Sequence, residues 1–185
     1  MKSSIKKSFV TRTAYIFFVL FIAMVSSSQI RAESLADLDR VQAAFIYQFT
    51  NYIEWPESKK EESADFNITV LGNSSIFQHL SEISKNKKIR DKKINLHQAQ
   101  SLADLKDSQL VILVFTEEKI LTSLVKKTKG SSTLIISKEK GFAEKGSMIN
   151  FFLEDGKLRF EMNRERIESE KLKVSSQLLK LAKLI

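Results

Sequence analysis

Six apolar residues, Leu110 to Phe115 (LVILVF), run without a break between polar neighbours. That pattern belongs to a strand buried on both faces. Phe66 to Leu71 gives a second strand, closed by Gly72-Asn73, and Ser132 to Ser137 a third; a shorter one is expected at about Lys93 to His97. Further on, Leu158, Phe160 and Met162 alternate with Arg159, Glu161 and Asn163. Period two buries one face of that strand and leaves the other available. With Met148 to Glu154 it makes a hairpin across Asp155-Gly156. Other segments carry the helical period. Leu38, Val41, Phe45, Phe49 and Tyr52 recur at spacings of three and four, predicting a helix over Leu35 to Asn51 that ends before Trp55-Pro56. Ser74 or Ser75 caps a helix through about Ser84, and Leu102 to Leu105 makes one helical turn. Thr116-Glu117-Glu118 opens a helix that stops at Gly130. Val174 to Ile185 reads as an amphipathic helix to the last residue, with Leu178, Leu181 and Ile185 returning to the core.

This order predicts a single compact α/β domain: a mainly parallel sheet flanked by helices, with a C-terminal antiparallel hairpin and a terminal helix. Glu57 to Ala64 is a polar loop. No internal repeat or low-complexity linker divides the chain.

Residues 1–32 follow a different pattern. Lys2, Lys6, Lys7 and Arg12 form a basic stretch without acids, Ala14 to Val25 is an apolar run, and Ser26-Ser27-Ser28 leads to a small residue at Ala32. That is the layout of a cleaved secretory signal peptide, and the run is short for a membrane span of roughly 20 residues. The expected domains are therefore 1–32, signal peptide, and 33–185, the folded domain. Export changes the charge. The whole chain carries +8, but residues 33–185 hold 25 basic against 22 acidic side chains, or +3. Lys85 to Lys93 and Lys126 to Lys129 then read as solvated surface that at most favours anionic surfaces at low salt. Nucleic acid is not expected as a partner. A domain of this size buries roughly two-thirds of its unfolded surface, enough for one core.

Candidate chemistry is sparse. The chain has no cysteine, which excludes disulfides, thiolate metal sites and cysteine nucleophiles. His79 and His97 lack metal-ligand spacing, and no serine lies in a G-x-S-x-G elbow. No metal, cofactor or catalytic residue is expected, and the chain does not read as an enzyme. A strand running through Gly72 and Ser74 into a helix start can offer free N–H groups to an anion. Trp55, beside the only proline, is either a core anchor or one wall of a pocket there. Trp55, Gly72 and Ser74 thus define an alternative function, periplasmic small-ligand binding.

Two stretches carry a family resemblance. Val41-Gln42-Ala43-Ala44-Phe45-Ile46-Tyr47-Gln48-Phe49 with Ile53-Glu54-Trp55-Pro56 forms one. Leu158-Arg159-Phe160-Glu161-Met162-Asn163 with Val174-Ser175-Ser176-Gln177-Leu178-Leu179-Lys180-Leu181-Ala182 forms the other. In order and spacing the chain resembles the YfiR-like periplasmic proteins of Gram-negative bacteria. The resemblance implies a compact, often dimeric α/β domain without catalysis. Such a domain binds the periplasmic part of an inner-membrane diguanylate cyclase and represses it, lowering cyclic di-GMP and biofilm formation. It also implies that an OmpA-like outer-membrane lipoprotein can sequester the inhibitor. The family's partner surface, carried onto this sequence, suggests Glu161, Asn163 and Ile167, with Phe152 on the neighbouring strand. Asn163 has a competing reading as a helix N-cap, and Ile167 as the inward side of a helix. The cysteines of the best-known members are missing, so disulfide control cannot operate here.

Overall fold

Gly72, at φ +114°, follows the strand Phe66–Leu71, at a point where a Cβ would meet Val114 Cβ at 3.0 Å. Around that strand the computed structural model describes residues 38–57 and 64–185. The expected signal peptide lies outside the described residues, as does most of the polar loop before Phe66. Residues 39–185 form one compact unit.

Helix α1 covers residues 38–52 and β1 is Ile53–Glu54. There follow β2 (Phe66–Leu71), α2 (Ile76–Asn86), β3 (Lys88–Ile89) and β4 (Lys92–Ala99). After a 3-10 turn at Leu102–Asp104 come β5 (Leu110–Leu113), α3 (Glu118–Lys127) and β6 (Leu134–Ser137). The chain closes with β7 (Ile149–Glu154), β8 (Lys157–Met162), α4 (Arg164–Ser169), β9 (Lys173–Val174), α5 (Ser176–Leu179) and β10 (Lys183–Leu184). Eight strands form one sheet in the order β10-β8-β7-β6-β5-β2-β4-β3, and β1 and β9 form a separate antiparallel pair.

The class is α/β and the sheet is mixed. β2 runs parallel to β4 and β5, β5 to β6, and β6 to β7. β7–β8 and β3–β4 are antiparallel, and β10 joins β8 in parallel. Antiparallel pairing therefore occurs towards both ends of the sheet, not only in the expected hairpin.

Alternation along the strands divides the core in two. Ile68 and Val70, Leu110 and Ile112, and Leu134 and Ile136 face α1 and α2, where Ala43, Ile46, Phe49, Ile76 and Leu80 cover them. Leu71, Val111, Leu113 and Ile135 face Leu121 and Leu124 of α3. Phe49 stacks on Phe151 and meets Phe160 at 4.8 Å between ring centroids, seating α1 across β7 and β8.

Two expectations are corrected. The buried stripe of α1 is Gln42, Ala43, Ile46, Phe49 and Thr50, while Val41 (43%) and Tyr52 (38%) are exposed. The spacing was legible but its phase was set by Tyr52 and Val41 on the wrong side. The C-terminal segment is not one helix. Only Ser176–Leu179 is helical, capped by Ser175, whose Oγ accepts from Leu178 N. The chain then turns out to the open edge of β8. Leu178 is core, but Leu181 (72%) and Ile185 (40%) are exposed.

Candidate functional site

The β7–β8 hairpin turns at Asp155 (φ 50°) and Gly156 (φ 70°), the positive dihedrals that a two-residue connection requires. The turn fixes a register in which Phe151 faces Phe160, Phe152 faces Arg159, and Asn150 faces Glu161. Ile149, Phe151, Phe160 and Met162 then enter the core beneath α1. Asn150, Phe152, Arg159 and Glu161 take the opposite face, and Lys183 of β10 pairs beside Glu161. No residue of β7, β8 or β10 belongs to the apolar cluster under α3. This outer face is therefore polar, with one aromatic ring in it.

Phe152 is half-buried at the middle of that face. Lys183 Nζ lies 5.6 Å from its ring centroid and 3.8 Å from Glu161 Oε2. Asn150 Nδ2 donates to Glu161 Oε1 at 3.1 Å, and Arg159 Nε lies 3.7 Å from Glu154 Oε2. Beneath them Ser137, Ser147 and Asn150 are joined by buried hydrogen bonds, Ser137 Oγ donating to Asn150 Oδ1 at 2.6 Å. The face is thus held by a preformed polar network with an apolar ring inside a charged rim. That arrangement is suited to an anchor contact with another protein.

The other two candidates are placed differently. Asn163 caps α4: its Oδ1 accepts from Arg166 N at 2.9 Å and its Nδ2 donates to Ala143 O at 2.8 Å. Both ends of its amide are engaged within the fold. Ile167 is 1% exposed and belongs to the core, so it does not project from the charged run. It lines a groove of about 220 Å³ shared with Leu172, Val174 and Leu179 and rimmed by Arg164, Glu168 and Lys173.

Sequence reasoning missed Lys183, because the terminal segment read as helix. It also missed the Arg166–Glu170 pair, at 2.8 Å, with Glu170 only 2% exposed. Glu170 accepts from Gly130 N and Ser132 N, each at 3.0 Å, and so ties α4 to the loop before β6. The four-residue spacing was a signal for the pair, but nothing in the sequence marked it as buried.

The alternative pocket does not assemble. Trp55 is buried, donates from Nε1 to Gln109 O at 3.0 Å, and sits edge-on to Phe66 at the start of β2. Gly72 and Ser74 lie past the far end of the same strand, about 20 Å away at 3.3 Å per residue. There the anion at the start of α2 is the protein's own Asp39. Ser74 Oγ and Ser75 Oγ donate to its Oδ2 at 2.7 and 2.6 Å, and Lys138 Nζ to Oδ1 at 3.1 Å. Burial pushes the Asp39 carboxyl up, but the Ser75 and Ser74 hydrogen bonds and the Lys138 charge outweigh it, and it titrates below its ordinary range. Elsewhere, His97 is held below the usual histidine range by burial and by Lys106. Among the described residues no group of three or more His, Asp or Glu is placed to hold a metal, and no helix is long and apolar enough to cross a membrane.

A family model described as DUF4154, YfiR/HmsC-like, matches residues 39–183, from the start of α1 to the first residue of β10. The chain belongs to the YfiR/HmsC-like family. No curated protein matches the sequence. The β7–β8–β10 face falls within the matched residues, up to Lys183. Phe152, Glu161 and Lys183 meet there, with Asn163 and Ile167 behind it as supports.

Proposed function

We propose that this protein is a periplasmic regulator that binds the periplasmic part of an inner-membrane diguanylate cyclase and holds it inactive, lowering cyclic di-GMP and biofilm formation. Family membership over residues 39–183 carries this reading. The outer face of β7, β8 and β10 supports it with a surface of the right kind. A protein without an active site acts on an enzyme only by binding its inactive state more tightly than its active one. Driving that equilibrium from mostly on to mostly off takes about 5 kcal/mol of difference. Phe152 inside its rim of Arg159, Glu161 and Lys183 is the anchor we assign to the contact. Asn163 and Ile167 fix the end of β8 behind it. The reading extends to release by an OmpA-like outer-membrane lipoprotein and to a homodimer as the working form.

The test is co-purification with a membrane GGDEF protein on co-expression, alongside cyclic di-GMP in a deletion strain. Loss of the gene is expected to raise cyclic di-GMP and matrix. Phe152→Ala is expected to weaken the complex by about 30-fold or more, as an interface anchor does. The free protein should stay folded and in similar amount, because Phe152 belongs to neither buried core cluster. Unchanged cyclic di-GMP on deletion would remove the proposal. Full repression by Phe152→Ala would move the contact to another surface.

A further inference from the structure

The opposite edge of the sheet carries the molecule's charge. Residues 39–185 hold 25 basic and 20 acidic side chains. Six of the basic ones, Lys85, Lys87, Lys88, Arg90, Lys92 and Lys93, fall in the nine residues 85–93 with a single acid, Asp91. Elsewhere the unit is balanced at 19 against 19, so these nine residues supply the whole excess. The fold collects them into one structure: the last turn of α2 and the β3–β4 hairpin at the end of the sheet. Lys85, Lys87, Lys88, Arg90 and Lys93 are exposed and Lys92 is half-buried.

The hairpin is built rigidly. Arg90 (φ 50°) and Asp91 (φ 66°) form its two-residue turn, and Arg90 Nη2 donates to Ile53 O at 2.7 Å. Ile89 is fully buried. Lys88 stands directly opposite Lys93 in the antiparallel register, and like charges in that position oppose folding. Stability gives no reason for the pair; an anionic surface facing both ammonium groups does.

We propose that this hairpin edge docks on an anionic phospholipid bilayer. The segment has cations and no exposed apolar wedge, which fits adsorption to headgroups rather than insertion. It also lacks aromatic side chains for stacking on bases, which disfavours single-stranded nucleic acid. β3 and β10 end the sheet at opposite sides, seven strand spacings or about 34 Å apart along it. A protein adsorbed through β3–β4 therefore keeps Phe152 and its rim free. The inference goes beyond the regulatory reading and does not depend on it, because vesicle binding needs no cyclase.

The experiment is co-sedimentation of the purified protein with vesicles of phosphatidylcholine alone and of equimolar phosphatidylcholine and phosphatidylglycerol. Binding is expected only to the second. It should be lost as salt rises from about 0.1 to 1 M and the screening length falls from about 10 to 3 Å. Each cation near such a surface contributes roughly five-fold to partition, so Lys85→Glu, Lys87→Glu and Lys93→Glu together should weaken it by about 100-fold or more. Lys93→Glu alone turns the Lys88 repulsion into attraction. It should weaken binding at least about five-fold while the melting temperature holds or rises. Every variant keeps the same N-terminal residues, so adsorption through those would not respond. Equal binding to both vesicle types, undiminished binding of Lys93→Glu, or displacement of the vesicles by a duplex oligonucleotide at equal phosphate concentration would overturn the proposal.

Discussion

Asp39 links the helix that covers the sheet to the turn after β2. Its carboxylate takes two serine hydroxyls and one ammonium in a setting where its side chain is only 13% exposed. Because its folded pKa is lowered, its stabilisation is fully present above the unfolded value of about 3.9 and is lost as pH falls through the lower folded value. Asp39→Asn keeps the shape and removes the charge. It is expected to cost about 1 to 2 kcal/mol at pH 7, with the difference shrinking as pH falls below the ordinary carboxylate value of about 3.9, as read by urea denaturation across that range. A constant difference across pH would show that charge is not what holds the turn. Ser74 and Ser75 were legible as the start of a helix, but the partner of their hydroxyls was not. Asp39 lies 35 residues before Ser74, and only the tertiary fold brings them together. Asn163 shows the reverse case. Its N-cap role was legible because capping is local, and the structure adds only the second bond to Ala143 O.

Among the elements, the last segment departs most from its own pattern. Leu178, Leu181 and Ile185 keep a helical period, yet the helix stops at Leu179 and Lys183–Leu184 pair with Glu161–Met162. Ile185 N donates to Met162 O at 3.1 Å. The open edge of β8 supplies backbone partners that a continued helix would have left unmet, and local periodicity yields to them. The consequence is measurable. Leu178→Ala should cost about 2 to 5 kcal/mol, whereas Leu181→Ala should stay within about 0.5 kcal/mol in denaturant titrations. Comparable losses would restore the continuous helix. The hairpin before it was legible in its strands and turn residues, because a two-residue turn is determined locally. β5 was plain too, since burial on both faces leaves an unbroken apolar run, although the strand ends at Leu113, two residues before the run does.

Over the whole molecule, the strands could be found in the sequence but their neighbours could not. Parallel partners are joined through helices, and no local feature states that β2 lies between β4 and β5 or that a second antiparallel pair ends the sheet at β3. The placement of the open face followed from that order, and so did the collection of cations at the far edge. One small element binds parts of the chain that the main sheet leaves separate. Ile53 and Glu54 pair with Val174 and Lys173, and Ser175 N donates to Tyr52 O at 2.9 Å. This clasp has only two residues on each side and closes a very long loop, so the entropy of closure falls on few hydrogen bonds. It should therefore form after the sheet and open before it. Amides of residues 173–175 are expected to exchange with solvent deuterium sooner than those of β5 and β6, by local opening rather than global unfolding. Opening the clasp would slacken the exit of α1 and the approach to α5 together. The domain then has a built-in point of give, from which the segment behind β8 can loosen while the central sheet stays closed.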